Sequence, residues 1–349
     1  MKKLEEAQLI LLQFFATGTT DKAAVNTGTA QSTYDREFAE QLIGFKQFIK
    51  FGLKRQYGSK GTDGTIRFKY YDLFPLPVAG ITEGVTPTPV KHIAHYVTAT
   101  PVQYGDHVVL TDLAIDDSGN DEVKEAIEDL SEQASHLFNT ITRDVLETST
   151  NEFFMGSVVN RAAVITAWTY DDCLRVIAIM ENNKVMPITK YVEGSDTFDT
   201  TPLEPAYIVF THSFCGIDLR KIPEFLTVAN YPSGKVPMIG EVGAVGPLRF
   251  LNDHDITVVP DAGGLAATNG LRSTTGTNAD IFINICIGRN AYGRIMLNAG
   301  NVKVIVKAKG SGGTNDPLDQ IATAGWIGRY TAKFIYNEKI LLIETGATA

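Results

Sequence analysis

Asp121-Glu-Val-Lys-Glu-Ala-Ile-Glu-Asp-Leu-Ser-Glu-Gln-Ala-Ser-His-Leu-Phe-Asn-Thr-Ile-Thr-Arg-Asp-Val-Leu-Glu-Thr-Ser-Thr150 reads as one uninterrupted helix. Apolar residues recur at Val123, Ile127, Leu130, Ala134, Leu137, Ile141 and Val145, a spacing of three and four. Ala126, Phe138 and Leu146 widen the stripe, and Lys124, Glu128, Glu132, Arg143 and Glu147 fall on the other face. No Gly or Pro interrupts it. Asn120 or Ser118 can cap the free N–H groups, and Asp121, Glu122 and Glu125 suit the positive end of the helix dipole. Such a helix spans about 40 Å, against a mean of about 11–12 residues for helices at large. A single apolar stripe of that length needs a long surface. It fits either a spine under a broad, flat subunit or the core helix of an ordinary α+β domain, and the pattern by itself favours the ordinary domain.

Composition narrows the function classes. A chain of 349 residues has room for two or so domains, and 44% hydrophobic with 20% charged residues is ordinary globular composition. The net charge of −9 argues against a protein whose main task is gripping phosphate backbones, which draws on clustered Lys and Arg. Cys173, Cys215 and Cys286 stand far apart, which fits reduced, buried thiols and neither a disulfide framework nor a zinc site. Lys2 and Lys3 before the apolar run Leu9–Ala16 mimic an export signal, but Glu5 and Glu6 interrupt it, so an amphipathic arm is expected. No apolar run reaches membrane-spanning length.

A second helix is expected from Thr33 to Tyr57, with Phe38, Leu42, Phe45, Ile49 and Leu53 on one face. Lys46, Lys50, Lys54 and Arg55 make its later half basic, either as a solvated face or as a contact with an acidic neighbour. Thr65–Tyr71 alternates as a strand should, and strand character returns over His92–Thr100 and Val108–Leu110. Between them, Leu73–Pro89 holds four prolines and two glycines, so it forms the tip of an extended hairpin. A two-stranded ribbon is marginal alone in water, so this one is expected to lie against something else, such as another subunit. Further on, Thr169 caps a short helix whose Leu174, Ile177 and Ala178 face inward, and a helix runs over Ser213–Lys221. Tyr191–Pro202 is a polar loop. Short strands cover Ala206–Phe210, Ile256–Val259, Ile281–Ile287, Val302–Lys309 and Phe334–Ile343, with irregular stretches at Pro232–Pro247 and Asp261–Thr277. The class is α+β, helices early and strands late.

Catalytic constellations are weak. The Gly-Ser-Lys-Gly-Thr string within Gly58–Gly64 and the run from Gly310 lack the spacing of a phosphate loop, and Gly240, Gly243 and Gly246 form GxxGxxG. His92 and His95 would share a helix face and could hold a metal, but in strand-like surroundings they point to opposite sides. Thr211-His212-Ser213 sits between a strand and a helix, where a helix cap explains Ser213. Asp116–Asp117 and Asp171–Asp172 precede or open helices, where capping accounts for them, and Trp168 and Trp326 read as packing residues.

Six separated segments resemble one family. Thr82-Glu-Gly-Val-Thr-Pro87, followed by Gln103-Tyr-Gly105 and Thr111-Asp112, is similar to a segment of tailed-phage major capsid proteins of the coliphage N-four-like branch. Val209-Phe-Thr-His-Ser213 with Asp218-Leu-Arg220 resembles its strand-to-helix segment, although that family often has Pro where Ser213 stands. Gly240-Glu-Val-Gly243 with Leu248-Arg-Phe250, Gly288-Arg-Asn-Ala-Tyr292, Asp316-Pro-Leu-Asp-Gln320 and Gly325-Trp326 complete the set. The resemblance runs from about Tyr34 to Glu344.

The resemblance implies an HK97-like capsid fold, α+β, and it reverses the preference for an ordinary domain. It implies an N-terminal arm with its helix over 1–60 and an extended loop over 61–112. It also implies a peripheral domain over 113–160 and 300–349, built on the spine helix, and an axial domain over 161–299. The function implied is a major capsid protein that self-assembles into the icosahedral head around a phage's double-stranded DNA. Expected partners are copies of itself in hexamers and pentamers, portal and scaffolding proteins, decoration proteins, and packaged DNA held without sequence specificity. The location implied is the virion capsid, assembled in the host bacterial cytoplasm, with no membrane. No cofactor, metal or catalytic residue is expected, nor is a Lys–Asn–carboxylate set for crosslinking. Arg67, Lys69, Glu83, Val85 and Pro87 are the candidate intersubunit residues, against the plainer reading of a solvated ribbon. Two competing readings are an encapsulin-like compartment and, from another class, a metal-dependent hydrolase using His92 and His95.

Overall fold

The computed structural model describes residues 46–56, 64–71, 74–76, 80, 83–84, 86, 88–117, 121–188, 205–231, 237–266, 269–297, 302–310, 316, 318 and 320–348. In chain order the strands are β1 (Leu53–Arg55), β2 (Ile66–Tyr71), β3 (Ala94–Ala99), β4 (Val102–Thr111), β5 (Glu152–Phe154), β6 (Tyr207–Thr211), β7 (Leu226–Thr227) and β8 (Glu241–Val245). They continue as β9 (Leu248–Asn252), β10 (Val258–Val259), β11 (Ile281–Ile287), β12 (Tyr292–Ile295), β13 (Val302–Lys307), β14 (Ile321–Tyr330), β15 (Ala332–Phe334) and β16 (Ile340–Thr345). The α-helices are α1 (Asp112–Asp117), α2 (Glu122–Glu147), α3 (Tyr170–Asn182) and α4 (Ser213–Leu219).

The chain divides into two compact units. Of the described residues, the first unit holds those within Gly105–Glu132 and Leu297–Gly328, and the second those within 46–104, Gln133–Met296 and 329–348. The boundary falls inside α2, the long helix expected from the sequence. Its N-cap is Asp121, whose Oδ1 accepts the Lys124 N–H at 3.3 Å.

In the first unit β13, β14 and β4 form a three-stranded sheet in that order. Period-2 burial along β14 turns Ala322, Ala324 and Trp326 inward, and Val302 and Val304 of β13 are buried with them. Asp316 ties the turn into β14 by accepting the N–H groups of Gln320 and Ile321 at 3.1 and 2.8 Å.

In the second unit the main sheet runs β5-β16-β11-β6-β9-β8-β7, with β10 also on β11. It is mixed: β6 and β9 are parallel, as are β16 and β5, and the other pairs are antiparallel. Its middle is covered on both faces, so β6, β11 and β16 are buried along their whole length and mostly apolar, without alternation. Val209, Cys286, Leu341 and Ile343 join Trp168, Val176 and Met180 on one side. Ile208, Phe210, Ile285, Ile340 and Leu342 join Phe48, Phe51, Leu146 and Tyr292 on the other. Cys173, Cys215 and Cys286 are free thiols in this interior, and burial pushes Cys173 and Cys215 up to about 12. β16 lies one strand in from the sheet's edge, between β11 and the edge strand β5.

Four expectations are corrected. The helix expected to reach Tyr57 is not helical in its described part: residues 47–52 are turns and bends, and Leu53–Arg55 is a strand parallel to β12. Gly52 explains the break. It sits at φ +87°, and a Cβ there would stand 2.6 Å from the Tyr292 ring. Phe38, Leu42 and Phe45 lie outside the described residues, as does Tyr191–Pro202. In α3 the inward residues are Asp172, Cys173, Val176 and Met180, whereas Leu174 and Ala178 are exposed. Asp172 can face in because Thr169 Oγ1 donates to it at 2.7 Å within the cap that the sequence does signal. Phe334–Ile343 is two strands separated by a turn of 3-10 helix at Asn337–Lys339. Lastly, strands occur where irregular chain is expected (β8) and where no element is expected (β9, β12, β14).

Candidate interaction surface

The hairpin of β2 and β3 is antiparallel from Ile66↔Ala99 to Tyr71↔Ala94. Its two faces differ sharply, as alternation requires. Ile66, Phe68, Tyr70, His95, Val97 and Ala99 share one face, which packs on the second unit. The Phe68 ring lies where a Cβ on Gly293 would stand, 2.3 Å away, so the missing side chain there lets the ribbon seat. Tyr70 meets Tyr336 edge-on at 4.9 Å.

The opposite face carries Arg67, Lys69, Tyr71, Ala94, Tyr96 and Thr98. Arg67 and Lys69 are exposed, and Tyr71 and Tyr96 are 43% and 57% exposed. The Lys69 ammonium sits 4.6 Å from the Tyr71 ring centre and 6.0 Å from that of Tyr96. Hydrogen bonding with Tyr71 raises the Lys69 pKa, so the cation persists. Beyond the strands Phe74, Leu76, Val90 and Ile93 remain 51–85% exposed. These residues leave an apolar, aromatic surface open to water.

Of the candidate residues, Arg67 and Lys69 therefore share one face and Glu83 is exposed in the tip. Val85 and Pro87 lie outside the described residues. The sequence reading missed Tyr71, Tyr96 and Phe74, although Tyr71 falls on the same alternation that selected Arg67 and Lys69.

The histidine pair is used otherwise. His92 stacks on Tyr71 with ring centres 3.9 Å apart, and His95 stacks on Tyr70 at 5.2 Å. Among the described residues no group of three or more His, Cys, Asp or Glu side chains is placed to hold a metal. At α4 the cap is His212, whose Nδ1 accepts the Phe214 N–H at 3.2 Å. Ser213, expected to be the cap, instead contacts Asn252 Oδ1 at 3.2 Å and His254 Nδ1 at 3.1 Å. His254 makes no further bond among the described residues, so nothing fixes the tautomer that a general base needs. Among the described residues, no helix is long and apolar enough to cross a membrane.

A second polar centre anchors the segment leading to β1. Gln47 and Phe48 donate their N–H groups to Asp253 Oδ2 and Asn139 Oδ1, each at 3.0 Å. Asn139 donates in turn to Asp253 at 3.2 Å and Asp255 at 2.7 Å. Lys46 and His136 pair with Asp255 at 3.5 and 3.1 Å. Of the basic run, Lys46 thus meets an acidic neighbour within its own chain.

This mixed sheet, long helix and seated hairpin define the HK97-like fold of phage capsid proteins. The structure is similar to the capsid of Ralstonia phage GP4, with a TM-score of 0.63 and 14% identity over 87% of this chain and 92% of that one. It is likewise similar to the capsid structure of cyanophage P-SCSP1u, with a TM-score of 0.56 and 11% identity over 88% and 89%. The capsid asymmetric unit of cyanophage Pam1 matches with a TM-score of 0.55 and 15% identity over 85% and 89%. No family description and no curated protein matches the sequence.

Proposed function

We propose that the chain is the major capsid protein of a tailed phage, self-assembling into the icosahedral head that encloses double-stranded DNA. The observation that carries this is the two-way span of the likeness: 87% of this chain against 92% of the Ralstonia phage GP4 capsid chain leaves little of either unmatched. The sequence motifs favour the coliphage N-four-like branch. In this reading 1–60 is the arm, 61–112 the extended loop, 113–160 and 300–349 the peripheral domain, and 161–299 the axial domain. β16 leaves the peripheral stretch to complete the sheet of the axial part. The protein is structural and not catalytic, and it resides in the virion after assembly in the bacterial cytoplasm. Its partners are its own copies in hexamers and pentamers, a portal, a scaffold, decoration proteins and DNA held without sequence readout. Weak contacts suffice for closure, because each copy makes many at once and they close by symmetry.

Electron microscopy of the overexpressed chain, alone and with scaffold, tests the proposal. Closed shells or capsomers are expected; a persistent monomer or dimer under both conditions rejects it.

A further inference from the structure

Arg249 lies on β9 with only 5% of its surface exposed, yet its guanidinium is only partly used. Nη1 donates to Glu241 Oε1 at 3.0 Å, and among the described residues Nε and Nη2 make no hydrogen bond. These two groups are not sealed in the interior: the sealed, unpartnered side-chain nitrogens of the described residues are those of Lys50 and Trp168. Arg249 instead lines a cavity of about 410 Å³ together with Leu226, Tyr231, Ala244 and the two prolines Pro205 and Pro247, so its unused N–H groups face that space. We infer that the cavity binds a carboxylate carried on a small apolar body, gripped by the Nε–Nη2 edge of Arg249. The inference does not depend on the capsid reading.

The chemistry of the walls selects that ligand. The free edge offers two parallel N–H donors, the fork that matches a carboxylate bidentately. The chain uses the same edge elsewhere: Nε and Nη2 of Arg161 hold Glu344 at 2.6 and 2.5 Å. At Arg249 no carboxylate of the described residues fills it, because Glu241 takes only Nη1. The Glu241 carboxylate is divided among three donors: Arg249, the Tyr231 hydroxyl at 2.6 Å and the Met238 N–H at 2.8 Å. Burial and the bond to Glu241 push the Tyr231 hydroxyl up, so its proton stays on that bond and is not offered to a ligand. Leu226, Ala244, Pro205 and Pro247 are apolar and cover the body of the guest.

The site is also held ready. The Arg249 guanidinium stands 5.4 Å from the Tyr231 ring centre, and Glu241, whose side chain is wholly buried, fixes its other edge. Little side-chain freedom is left to lose on binding. Cavities for small ligands run from about 300 to 1,000 Å³, so this one suits a small organic acid or the last residue of a peptide chain. Both present the same group to Arg249.

Titration calorimetry on the full-length chain tests the site, with sodium benzoate as the small acid and N-acetyl-glycyl-leucine as the chain end. At least one is expected to bind saturably, and its uncharged amide (benzamide or the amidated peptide) about 10-fold or more weakly. Tighter binding of benzoate assigns the site to free acids, and tighter binding of the peptide assigns it to chain ends. Arg249→Lys keeps the charge that Glu241 needs but loses the fork, and should weaken binding about 10-fold. Ala244→Phe fills the cavity without touching the Arg249–Glu241 pair and should abolish binding. The comparison of acid with amide needs no variant, so it holds whether or not these chains fold. No saturation by either acid up to about 20 mM, equal binding of acid and amide, or unchanged binding in a folded Ala244→Phe chain overturns the proposal.

Discussion

Asn139 holds three partners with one carboxamide. Its Oδ1 takes the Phe48 N–H, and its Nδ2 serves the carboxylates of Asp253 and Asp255. Burial pushes the Asp253 carboxyl up, opposed by the N–H groups of Asp255 and Gln47. Asn139→Leu keeps the γ-branched shape in a somewhat larger side chain but strips these bonds, and we expect a loss of about 2–4 kcal/mol in urea unfolding. Lys50, nearby in sequence, is a different case. Its Nζ is buried without a hydrogen-bond partner among the described residues, and burial pulls it down to about 8 against the opposing pull of Asp253. Between about 8 and its ordinary 10.5 the unfolded chain holds a proton that the folded chain lacks. Stability should therefore rise with pH across that window, the penalty being full below it. Unfolding measured from pH 7 to 10.5 checks this, and Lys50→Met should flatten the slope. Little of this centre was legible in the sequence. Asp253, Asp255 and Asn139 are ordinary polar residues until the fold joins positions more than a hundred apart.

At the scale of elements, legibility followed contrast. The long helix and β2 carry strong periodicity, and both formed near their expected bounds. β14 reads Ile-Ala-Thr-Ala-Gly-Trp-Ile-Gly-Arg-Tyr, whose small residues give alternation too little amplitude to detect. β1 is a strand only because β12, some 240 residues later, offers it an edge. The hairpin was legible as a ribbon with a tip, and its cations were identified. The division into a seated face and a free face was not, since that depends on Gly293 meeting Phe68. Because the strands β2 and β3 seat through their own side chains, the tip is separable from them. Deleting Leu73–Pro89 with a short turn in its place should leave a soluble chain of near-normal thermal stability that no longer closes shells. Electron microscopy with scaffold present checks this, and normal shells would sink the role given to the tip.

For the whole molecule, composition and charge excluded more than they identified. Under the proposed capsid reading, a net charge of −9 would suit a wall that need not grip its DNA, and contacts between copies would depend on local patches of positive charge. Assembly held by such patches should weaken as salt screens them.

The position of β16 sets a condition on synthesis. The strand between β5 and β11 is made about fifty residues after β11, and about 185 after β5. A nascent chain halted anywhere before Ile340 therefore leaves both neighbours with an unfilled edge. Incomplete translation products cannot present a finished sheet. The order of strands along the chain thus leaves the sheet incomplete until translation has passed β16.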